Sequence, residues 1–97
     1  MTQLIFTDAA LDDILQTSEW YGGSSGELSE EFSAQVDRTI ALIKQYPLLY
    51  PVFYKKYRRA VLRQFPYLLV YRVTDQRIEI VAVGHAKRGP KFWKSRL

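Results

Sequence analysis

The side chains that could take part in catalysis or in binding are most concentrated in the last thirteen residues of the chain. Residues 85–97 hold the single histidine, His85, five lysines and arginines, and two aromatic residues, Phe92 and Trp93. Basic side chains supply contacts to phosphate groups, and an aromatic ring supplies a stacking face for bases. The two rings could instead close one end of the core, which is the interpretation we favour for them. Recognition of an anionic partner is favoured for Lys87, Arg88, Lys91 and Arg96.

His85 could act as a general acid or base, because an imidazole titrates near neutral pH. It has no recognisable nucleophile partner, so a structural histidine at a strand end is the favoured interpretation. The chain has no cysteine, and neither a second histidine nor clustered carboxylates stand at ligand spacing, so no metal is expected. The glycine-rich run at 22–26 lacks the lysine of a phosphate-binding loop, and no cofactor is expected.

A second basic cluster, residues 55–59 followed by Arg63, precedes the apolar segment at 67–73. In an extended strand Tyr57, Arg59 and Arg63 share one face, while Arg58 lies on the other. Clustered arginines can stabilise the charge that develops on a phosphodiester under attack. They can equally pair with the acids of a partner protein. The sequence leaves both alternatives open.

The charge of the chain is divided unequally between its two halves. Residues 1–50 carry two bases and eight acids, a net charge of −6, whereas residues 51–97 carry twelve bases and two acids, a net charge of +10. The two halves can neutralise each other only in part, because the bases are in excess. The second half is therefore expected to meet nucleic acid, an acidic protein, or both.

The first half has the hydrophobic pattern of two helices. A short strand at 3–7 precedes a helix capped by Thr7 or Asp8, and the glycine-rich run at 22–26 is expected to end that helix in a flexible turn. The second helix begins near Ser29 and ends before Pro47. The residues expected to face the core are Leu11, Ile14, Leu15, Ser18 and Tyr21 in the first helix and Phe32, Val36, Ile40 and Ile43 in the second.

The second half has the pattern of three strands, at 57–63, 67–73 and 77–83, with a turn at 74–76. The middle strand is apolar on both faces and is expected to be central. We therefore predict an α+β fold: an N-terminal strand, an antiparallel two-helix hairpin, a three-stranded antiparallel meander and a C-terminal basic tail. Residues 1–97 are expected to form a single domain. The absence of cysteine and of a membrane-spanning apolar run favours a cytoplasmic protein and no membrane partner.

Several segments, in this order, resemble the RelE/ParE toxin superfamily over nearly the whole chain, and more specifically its ParE-like members. They are Ile43-Lys44-Gln45-Tyr46-Pro47 at the end of the hairpin, Tyr57–Leu62 with Phe65–Val73 as a core strand pair, and Ile78–His85 followed by Arg88-Gly89-Pro90, Trp93 and Arg96. Each segment alone is a loose match, and the ordered set is fairly specific. The resemblance implies a RelE/ParE-like fold and the toxin of a type II toxin–antitoxin system, of the kind linked to plasmid stabilisation.

The ParE-like resemblance implies inhibition of DNA gyrase and neutralisation by a cognate antitoxin, with operator DNA reached only through the antitoxin complex. RelE-like members instead cut messenger RNA on the ribosome, with His85, Arg58, Arg59 and Arg88 as the corresponding candidate catalysts in this chain. The sequence departs from that pattern at Leu68, where an arginine aligns, and has no tyrosine after Tyr71. A third possibility is a non-toxic module that only binds partners. The residues expected to bind the target or the antitoxin are Arg58, Arg59, Arg63, Lys87, Arg88, Trp93 and Arg96.

Overall fold

A computed structural model describes residues 3–89 and 91–97. Within these ranges the helices are Asp8–Ser24 (α1), Gly26–Gln45 (α2) and Lys91–Lys94 (α3). The strands are Gln3–Phe6 (β1), Val52–Tyr54 (β2), Tyr57–Val61 (β3), Tyr67–Val73 (β4) and Arg77–His85 (β5), and a 3₁₀ turn at Ala86–Arg88 joins β5 to α3. No helix in the described part of the chain is long and apolar enough to cross a membrane.

The strands form one sheet in the order β1-β5-β4-β3-β2. Strands β2 to β5 are antiparallel neighbours, and β1 adds to the far edge parallel to β5, with Leu4 opposite Ile78. The predicted α+β class, with an N-terminal strand, a helical hairpin and a meander, is confirmed. The segment expected to be a basic tail contains the 3₁₀ turn and α3.

The helical hairpin covers one face of the sheet and encloses the larger part of the core. Phe32, Val36 and Ile43 of α2 are buried there, as the helical spacing predicts. Fully burying a side chain of this size stabilises the fold by about 1.5–3 kcal/mol. At the tip of the hairpin, Phe32 makes edge contacts with Phe65 and Tyr67, at ring-centroid distances of 5.6 Å. These contacts hold the hairpin at a fixed height above the sheet.

The buried face of α1 agrees only in part with the one that the sequence predicts: Ile14 and Tyr21 pack against the core, but the two leucines do not. Leu11 and Leu15 are 51% and 58% exposed, whereas Ala10 and Asp13 are buried. Ala10 has little bulk, so α1 can approach the sheet closely at this point. Asp13 is buried because its carboxylate bonds to the backbone of β5 and to Arg96. Hydrophobic spacing alone could not reveal a buried carboxylate whose partners lie so far along the chain.

The glycine-rich run ends α1, as the sequence predicts, but it does so without a flexible turn. The helix continues through Gly22 and Gly23 to Ser24, and only Ser25 is extended, with φ −164° and ψ 130°. The N–H of Ser25 bonds to the carbonyl of Tyr21, and its own carbonyl accepts from Ser29, so one residue joins the two helices. The predicted N-cap is confirmed at Thr7, whose side chain accepts from the N–H of Ala10 at 3.2 Å.

Strand β2 is an element that the sequence pattern did not predict. It has three residues and follows Pro51, which is too little for an alternating pattern to be visible. Lys55 adopts a positive φ of 49° in the tight turn that leads back into β3. This short hairpin brings Phe53 and Tyr54 to the face of the sheet opposite the helices.

The second face of the sheet carries a smaller cluster of buried residues. Tyr57, Leu68 and Val70 of the central strands meet Trp93 of α3 there, and Phe53 and Tyr54 pack at its margin. Trp93 is only 6% exposed and contacts the rings of Phe53 and Tyr54 at 4.8 and 5.3 Å. Trp93 therefore packs in the core, the interpretation favoured from the sequence, and α3 covers this face of the sheet.

A buried glutamate lies on the same face, nearer the start of β5. Glu79 stands opposite Arg72 in the β4–β5 register and accepts hydrogen bonds from Arg72 and from Arg77, the latter at 2.7 Å. The hydrogen bond from Arg72 is the main reason that the pKa of Glu79 is lowered from its ordinary value. The ionised form of Glu79 therefore stabilises the folded chain.

Replacing Glu79 with Gln is expected to lower the free energy of unfolding at pH 7 by about 1–2 kcal/mol, since both arginines are partly exposed. A lowered pKa in the folded state means that this stabilisation is complete above the unfolded-state pKa and is lost as the pH falls through the folded-state pKa. Urea unfolding at pH 7, 5, 4 and 3 should show the wild type and E79Q converging at acid pH. The exposed Glu31→Gln is the matched control, and parallel curves for wild type and E79Q would contradict the assignment.

Candidate functional site

The two adjacent arginines of β3 lie on opposite faces of the sheet, as the alternation predicts. Arg58 faces the helix side and donates to the carbonyls of Leu48 and Tyr50 at 3.3 and 2.7 Å. Tyr71, whose pKa is raised by burial, donates to the carbonyl of Pro47 at 2.9 Å. Arg58 therefore fixes the loop that follows α2. Arg59 lies on the other face, with its guanidinium 5.1 Å from the ring centroid of Phe53.

Four basic side chains cover the aromatic layer on the face opposite the helices. We call this surface the cationic face: Lys55, Arg59, Arg88 and Lys94 over the rings of Phe53, Tyr54, Phe92 and Trp93. The distances from charge to ring centroid are 5.2 Å for Lys55 over Tyr54, 4.5 Å for Arg88 over Phe92, and 4.7 Å for Lys94 over Tyr54. Each such contact contributes about 0.5–1 kcal/mol at an exposed site.

The cations of this surface keep their charge unneutralised. In the described residues the ion pairs are Arg72 and Arg77 with Glu79, and Arg96 with Asp13; none includes a member of the cationic face. A ring positions a cation without cancelling its charge, so the surface attracts anions. A cavity of about 210 Å³ opens among these residues, lined by Phe53, Arg59, Leu68, Ala86, Gly89, Phe92 and Trp93.

The position of Phe92 on the sheet requires a glycine beneath it. A Cβ added at Gly84 of β5 would lie 2.4 Å from two ring carbons of Phe92. Phe92 in turn carries Arg88 above its ring. Gly84 therefore allows the C-terminal segment to approach the sheet closely enough to complete the cationic face.

Replacing Gly84 with Ala is expected to displace Phe92 and to destabilise the fold by about 1–3 kcal/mol, the usual cost of overpacking. Gly23→Ala is the matched control, because an added Cβ there meets nothing within 4 Å and alanine favours a helix. Thermal unfolding of the two variants should move in opposite directions. Equal melting temperatures for wild type and G84A would show that Phe92 is not held against Gly84.

Arg96, predicted to bind a partner, is engaged within the chain. Its guanidinium forms a two-point ion pair with Asp13 of α1, one bond being 2.9 Å, and also donates to the carbonyl of Val81 at 3.3 Å. The hydrogen bonds to Asp13 raise the pKa of Arg96 above its ordinary value. Asp13 also accepts from the N–H of Val83 at 2.9 Å. The C-terminal segment is thus tied to α1 and to β5 past the end of β1.

His85 lies beside a small cleft between α1 and the end of β5. Its Nδ1 accepts from the N–H of Lys87 at 3.0 Å, so the neutral ring carries its proton on Nε2. The ring contacts Tyr67 edge-on at 5.3 Å. The cleft, of about 90 Å³, is lined by Asp13, Gln16, Thr17, Tyr67, Val83, Gly84, His85 and Arg88.

Of the four candidate catalysts, the structure brings only two, His85 and Arg88, to this cleft. Arg58 holds the loop after α2, and Arg59 lies on the cationic face. No group of three histidine, aspartate or glutamate side chains that could hold a metal occurs among residues 3–89 and 91–97. Beside the imidazole and the guanidinium, the cleft holds the carboxylate of Asp13, which is paired with Arg96, and the phenol of Tyr67.

Arg63 lies apart from the other predicted binding residues. Strand β3 ends at Val61, so Arg63 does not share the surroundings of Arg59 as an unbroken strand would require. It lines a cavity of about 440 Å³ between α2 and the end of β3, which we call the α2 groove. The lining residues are Gln35, Arg38, Thr39, Leu42, Tyr50, Val61, Arg63 and Gln64. Lys87 is exposed in the 3₁₀ turn, next to Arg88.

Comparison with known proteins identifies the family. The sequence profile described as "ParE toxin of type II toxin-antitoxin system, parDE" matches residues 4–90. The chain belongs to the ParE toxin family. It is also 31% identical over 80 residues to Toxin ParE2 of Mycobacterium tuberculosis, a match that covers 81% of this chain and 76% of that protein. The chain is therefore a toxin of a type II toxin–antitoxin system.

Solved structures with the same fold include both ParE-type and RelE-type toxins. The chromosomal ParDE system of P. aeruginosa aligns with a TM-score of 0.77 at 19% identity, over 88% of this chain and 96% of that one. E. coli YafQ aligns with a TM-score of 0.65 at 15% identity, over 92% of this chain and 100% of that one. The isolated E. coli RelE toxin aligns with a TM-score of 0.64 at 19% identity, over 98% of this chain and 95% of that one. The ParE-family fold is thus shared across the wider superfamily.

The sequence analysis of this ParE-family chain did not identify several residues of the cationic face, nor the buried acid that anchors the C-terminal segment. Phe53 and Tyr54 were missed because β2 is too short to recognise, and Lys94 because its ring partner Tyr54 is remote in the chain. Asp13 was one acid among eight in the first half, with nothing to distinguish it. The resemblance to the family also included Pro90, which lies outside the described residues.

Proposed function

We propose that this ParE-family toxin inhibits DNA gyrase and that the cationic face is the surface that meets its target. The observation that supports this most is the set of four cations, Lys55, Arg59, Arg88 and Lys94, held over aromatic rings without carboxylate partners in the described residues. Such a surface suits an acidic protein face or the phosphates of enzyme-bound DNA. A gyrase target places the toxin in the cytoplasm.

A cognate antitoxin neutralises the toxin in this proposal, through an acidic or amphipathic segment that covers the cationic face. The fold neighbour YafQ of E. coli has been solved in complex with DinJ as a toxin–antitoxin pair, which supports a protein antitoxin for this chain. Opposite charge would steer the encounter of the two proteins and raise their association rate. Operator DNA is reached only through the antitoxin complex.

The positions of the candidate catalysts favour gyrase inhibition over messenger-RNA cleavage. A ribosome-dependent nuclease would need His85 beside the arginines that hold the phosphate, and Arg58 and Arg59 lie elsewhere. Only Arg88 shares the cleft with His85. His85 instead accepts a backbone N–H and packs on Tyr67, which is a structural role at the end of β5.

The proposal is tested by pulse-labelling DNA and protein synthesis just after the chain is induced alone in a bacterium. DNA synthesis should fall first, and the purified chain should inhibit supercoiling by gyrase. If protein synthesis falls first, the target is the ribosome and the gyrase proposal is wrong. Expression without any effect on growth would instead indicate a module that only binds partners.

Replacing His85 with Ala separates the two toxin mechanisms. We expect H85A to inhibit DNA synthesis within about twofold of the wild type, because the proposed surface does not include the imidazole. A nuclease would lose its cleavage of messenger RNA, typically 10²-fold or more for a general acid or base. Melting temperatures of both proteins show whether any loss reflects folding. Loss of toxicity in a fully folded H85A would refute the gyrase proposal.

A further inference from the structure

The solvent-exposed side of α1 carries acids and leucines that the proposed function does not use. We call this surface the acidic stripe: Asp8, Leu11, Asp12, Leu15 and Glu19. Residues three or four positions apart share one side of a helix, and each member of the stripe has such a neighbour in it. All five are exposed, and the two leucines are 51% and 58% exposed. Two large apolar side chains thus stand one turn apart among three carboxylates.

The acids of the stripe have no basic neighbour in sequence. No lysine or arginine precedes Arg38 in the chain. Within residues 3–89 and 91–97 the acids in ion pairs are Asp13 and Glu79, and neither belongs to the stripe. Asp12 accepts a hydrogen bond from the amide of Gln16, which carries no charge. The stripe therefore keeps its negative charge.

The cationic face has the complementary composition, since its cations lie over aromatic rings where the stripe has acids beside leucines. Phe53 and Phe92 of that face are only partly buried, and Arg59 and Lys94 are exposed. The sheet separates the two surfaces, because α1 packs on one face and the cationic face is the other. One copy therefore cannot bring its own stripe to its own cationic face.

We propose that α1 of one copy docks on the cationic face of a second copy, so that copies of the chain associate head to tail. The leucines of the stripe would pack on the rings of that face, and the carboxylates would meet Arg59 and Lys94. The contact joins two different surfaces and is heterologous, so each end of an assembly stays open to a further copy.

The sign of its charge excludes other occupants of the stripe. Nucleic acid and the anionic surface of a membrane carry the same sign as the stripe and are repelled by it. The occupant is then a protein surface that combines positive charge with accessible apolar groups. The chain itself supplies such a surface at a concentration equal to that of the stripe.

Self-association of this kind covers the cationic face of every copy except the one at an end. Mass action favours single copies at low concentration and assemblies at high concentration. Only the functional consequence rests on the proposed function: if the cationic face meets gyrase, the assembly is a form of the toxin whose target surface is occupied.

Sedimentation of the purified toxin, free of antitoxin, tests the association. At about 100 μM protein and about 50 mM salt, the weight-average mass should be at least about 1.5 times that of one chain. At about 500 mM salt it should fall to that of one chain, because screening weakens the attraction between the two surfaces. A wild type that sediments as single chains at both salt concentrations would overturn the proposal.

Charge reversal in the stripe tests the surface. D12K/E19K is expected to associate at least about 30-fold more weakly than the wild type, because lysines then face the cations of the second copy. E27K/E31K is the matched control: it reverses two exposed acids of α2, gives the same net charge and should associate within about threefold of the wild type. Association that D12K/E19K leaves intact would use another surface, such as the α2 groove, and would overturn the proposal.

A mixture of two defective variants tests the direction of the contact. D12K/E19K keeps its cationic face, R59A/K94A keeps its stripe, and each alone should sediment as single chains. Mixed in equal amounts, they should form a one-to-one dimer and nothing larger, because only one pairing of intact surfaces exists. Melting temperatures establish beforehand that both variants are folded. A mixture that stays monomeric where the wild type associates would overturn the head-to-tail contact.

Sedimentation needs no gyrase, so the contact and the proposed target fail separately. Head-to-tail association in a toxin that does not inhibit gyrase would refute the target and leave the contact supported. If both hold, D12K/E19K should inhibit supercoiling at least about twofold more per chain than the wild type at concentrations where the wild type associates. Equal inhibition per chain by a wild type that stays monomeric would support the target and overturn the contact.

Discussion

Replacing Asp13 with Ala is expected to lower the free energy of unfolding by about 3 kcal/mol, the usual loss when one partner of a buried ion pair is removed. The carboxylate is buried and accepts from three groups: both terminal nitrogens of Arg96 and the N–H of Val83. Its removal leaves a guanidinium that is only 24% exposed without its partner and a buried N–H without an acceptor. Urea unfolding at pH 7 measures the loss.

The neighbouring Asp12 supplies the matched control. Its carboxylate is exposed and, among residues 3–89 and 91–97, accepts only from the side chain of Gln16, at 2.8 Å one turn further along α1. Asp12→Ala should therefore cost less than about 0.5 kcal/mol. Equal losses for D13A and D12A would show that the ion pair with Arg96 does not stabilise the fold. An Arg96→Ala variant and the double variant complete a cycle that isolates the pairwise energy.

The two tryptophans report what Asp13 holds in place. Trp93 is 6% exposed under the C-terminal segment, whereas Trp20 is 67% exposed on α1. In a Trp20→Phe background, excitation at wavelengths that tyrosine does not absorb reports on Trp93 alone. Releasing residues 91–97 from Asp13 should make this ring more accessible to acrylamide. Unchanged quenching in D13A would mean that the packing of Trp93 on Phe53 and Tyr54 suffices to hold α3.

The pair between Asp13 and Arg96 connects the fold to the proposed target surface. Two of the four rings beneath the cationic face, Phe92 and Trp93, belong to the segment that Arg96 anchors. If that segment loosens, Arg88 and Lys94 lose their fixed positions. The acid in the first helix thus supports a basic surface on the far side of the sheet.

The parts of the fold that follow from local pattern were predictable from the sequence. The apolar run at 67–73 is the central strand β4, and Phe32, Val36 and Ile43 form the buried stripe of α2. Alternation correctly placed Arg58 and Arg59 on opposite faces, which already separates two of the candidate catalysts. These results depend on period and hydrophobicity, which are properties of short segments.

The parts that depend on distant partners were not predictable. Asp13 and Arg96 are separated by 83 positions, and no residue near Asp13 in the sequence indicates that this acid is buried. Leu11 and Leu15 were expected in the core because leucine is usually buried, yet both are exposed, while the nearby Asp13 is buried by its distant partners. The cationic face was not predictable for the same reason: Tyr54 and Lys94 are remote in the chain and meet only when the hairpin at 52–57 and α3 fold onto one face of the sheet.

Reversing the charge of Arg59 is expected to weaken gyrase inhibition by about 30-fold, the typical effect of losing a central arginine at an interface and repelling the partner's acids. Arg59 is exposed over Phe53, so Arg59→Glu should cost no more than about 1 kcal/mol of stability. Lys44→Glu is the matched control: it reverses a charge in the same way at an exposed position near the end of α2. Supercoiling inhibition by the purified proteins measures both effects.

Charge and shape contribute separately to this surface, and two further measurements distinguish them. Arg59→Lys keeps the positive charge but loses the planar group above Phe53, so a purely electrostatic role predicts near wild-type inhibition.

Raising the salt from about 50 to 300 mM should weaken wild-type inhibition more than that of R59E, because screening weakens the attraction that R59E has already lost. If R59E and K44E weaken inhibition equally, only the net charge of the chain matters and the cationic face is not the target surface. If R59E alone does so and the salt dependence falls with it, the acids of the target lie over Arg59.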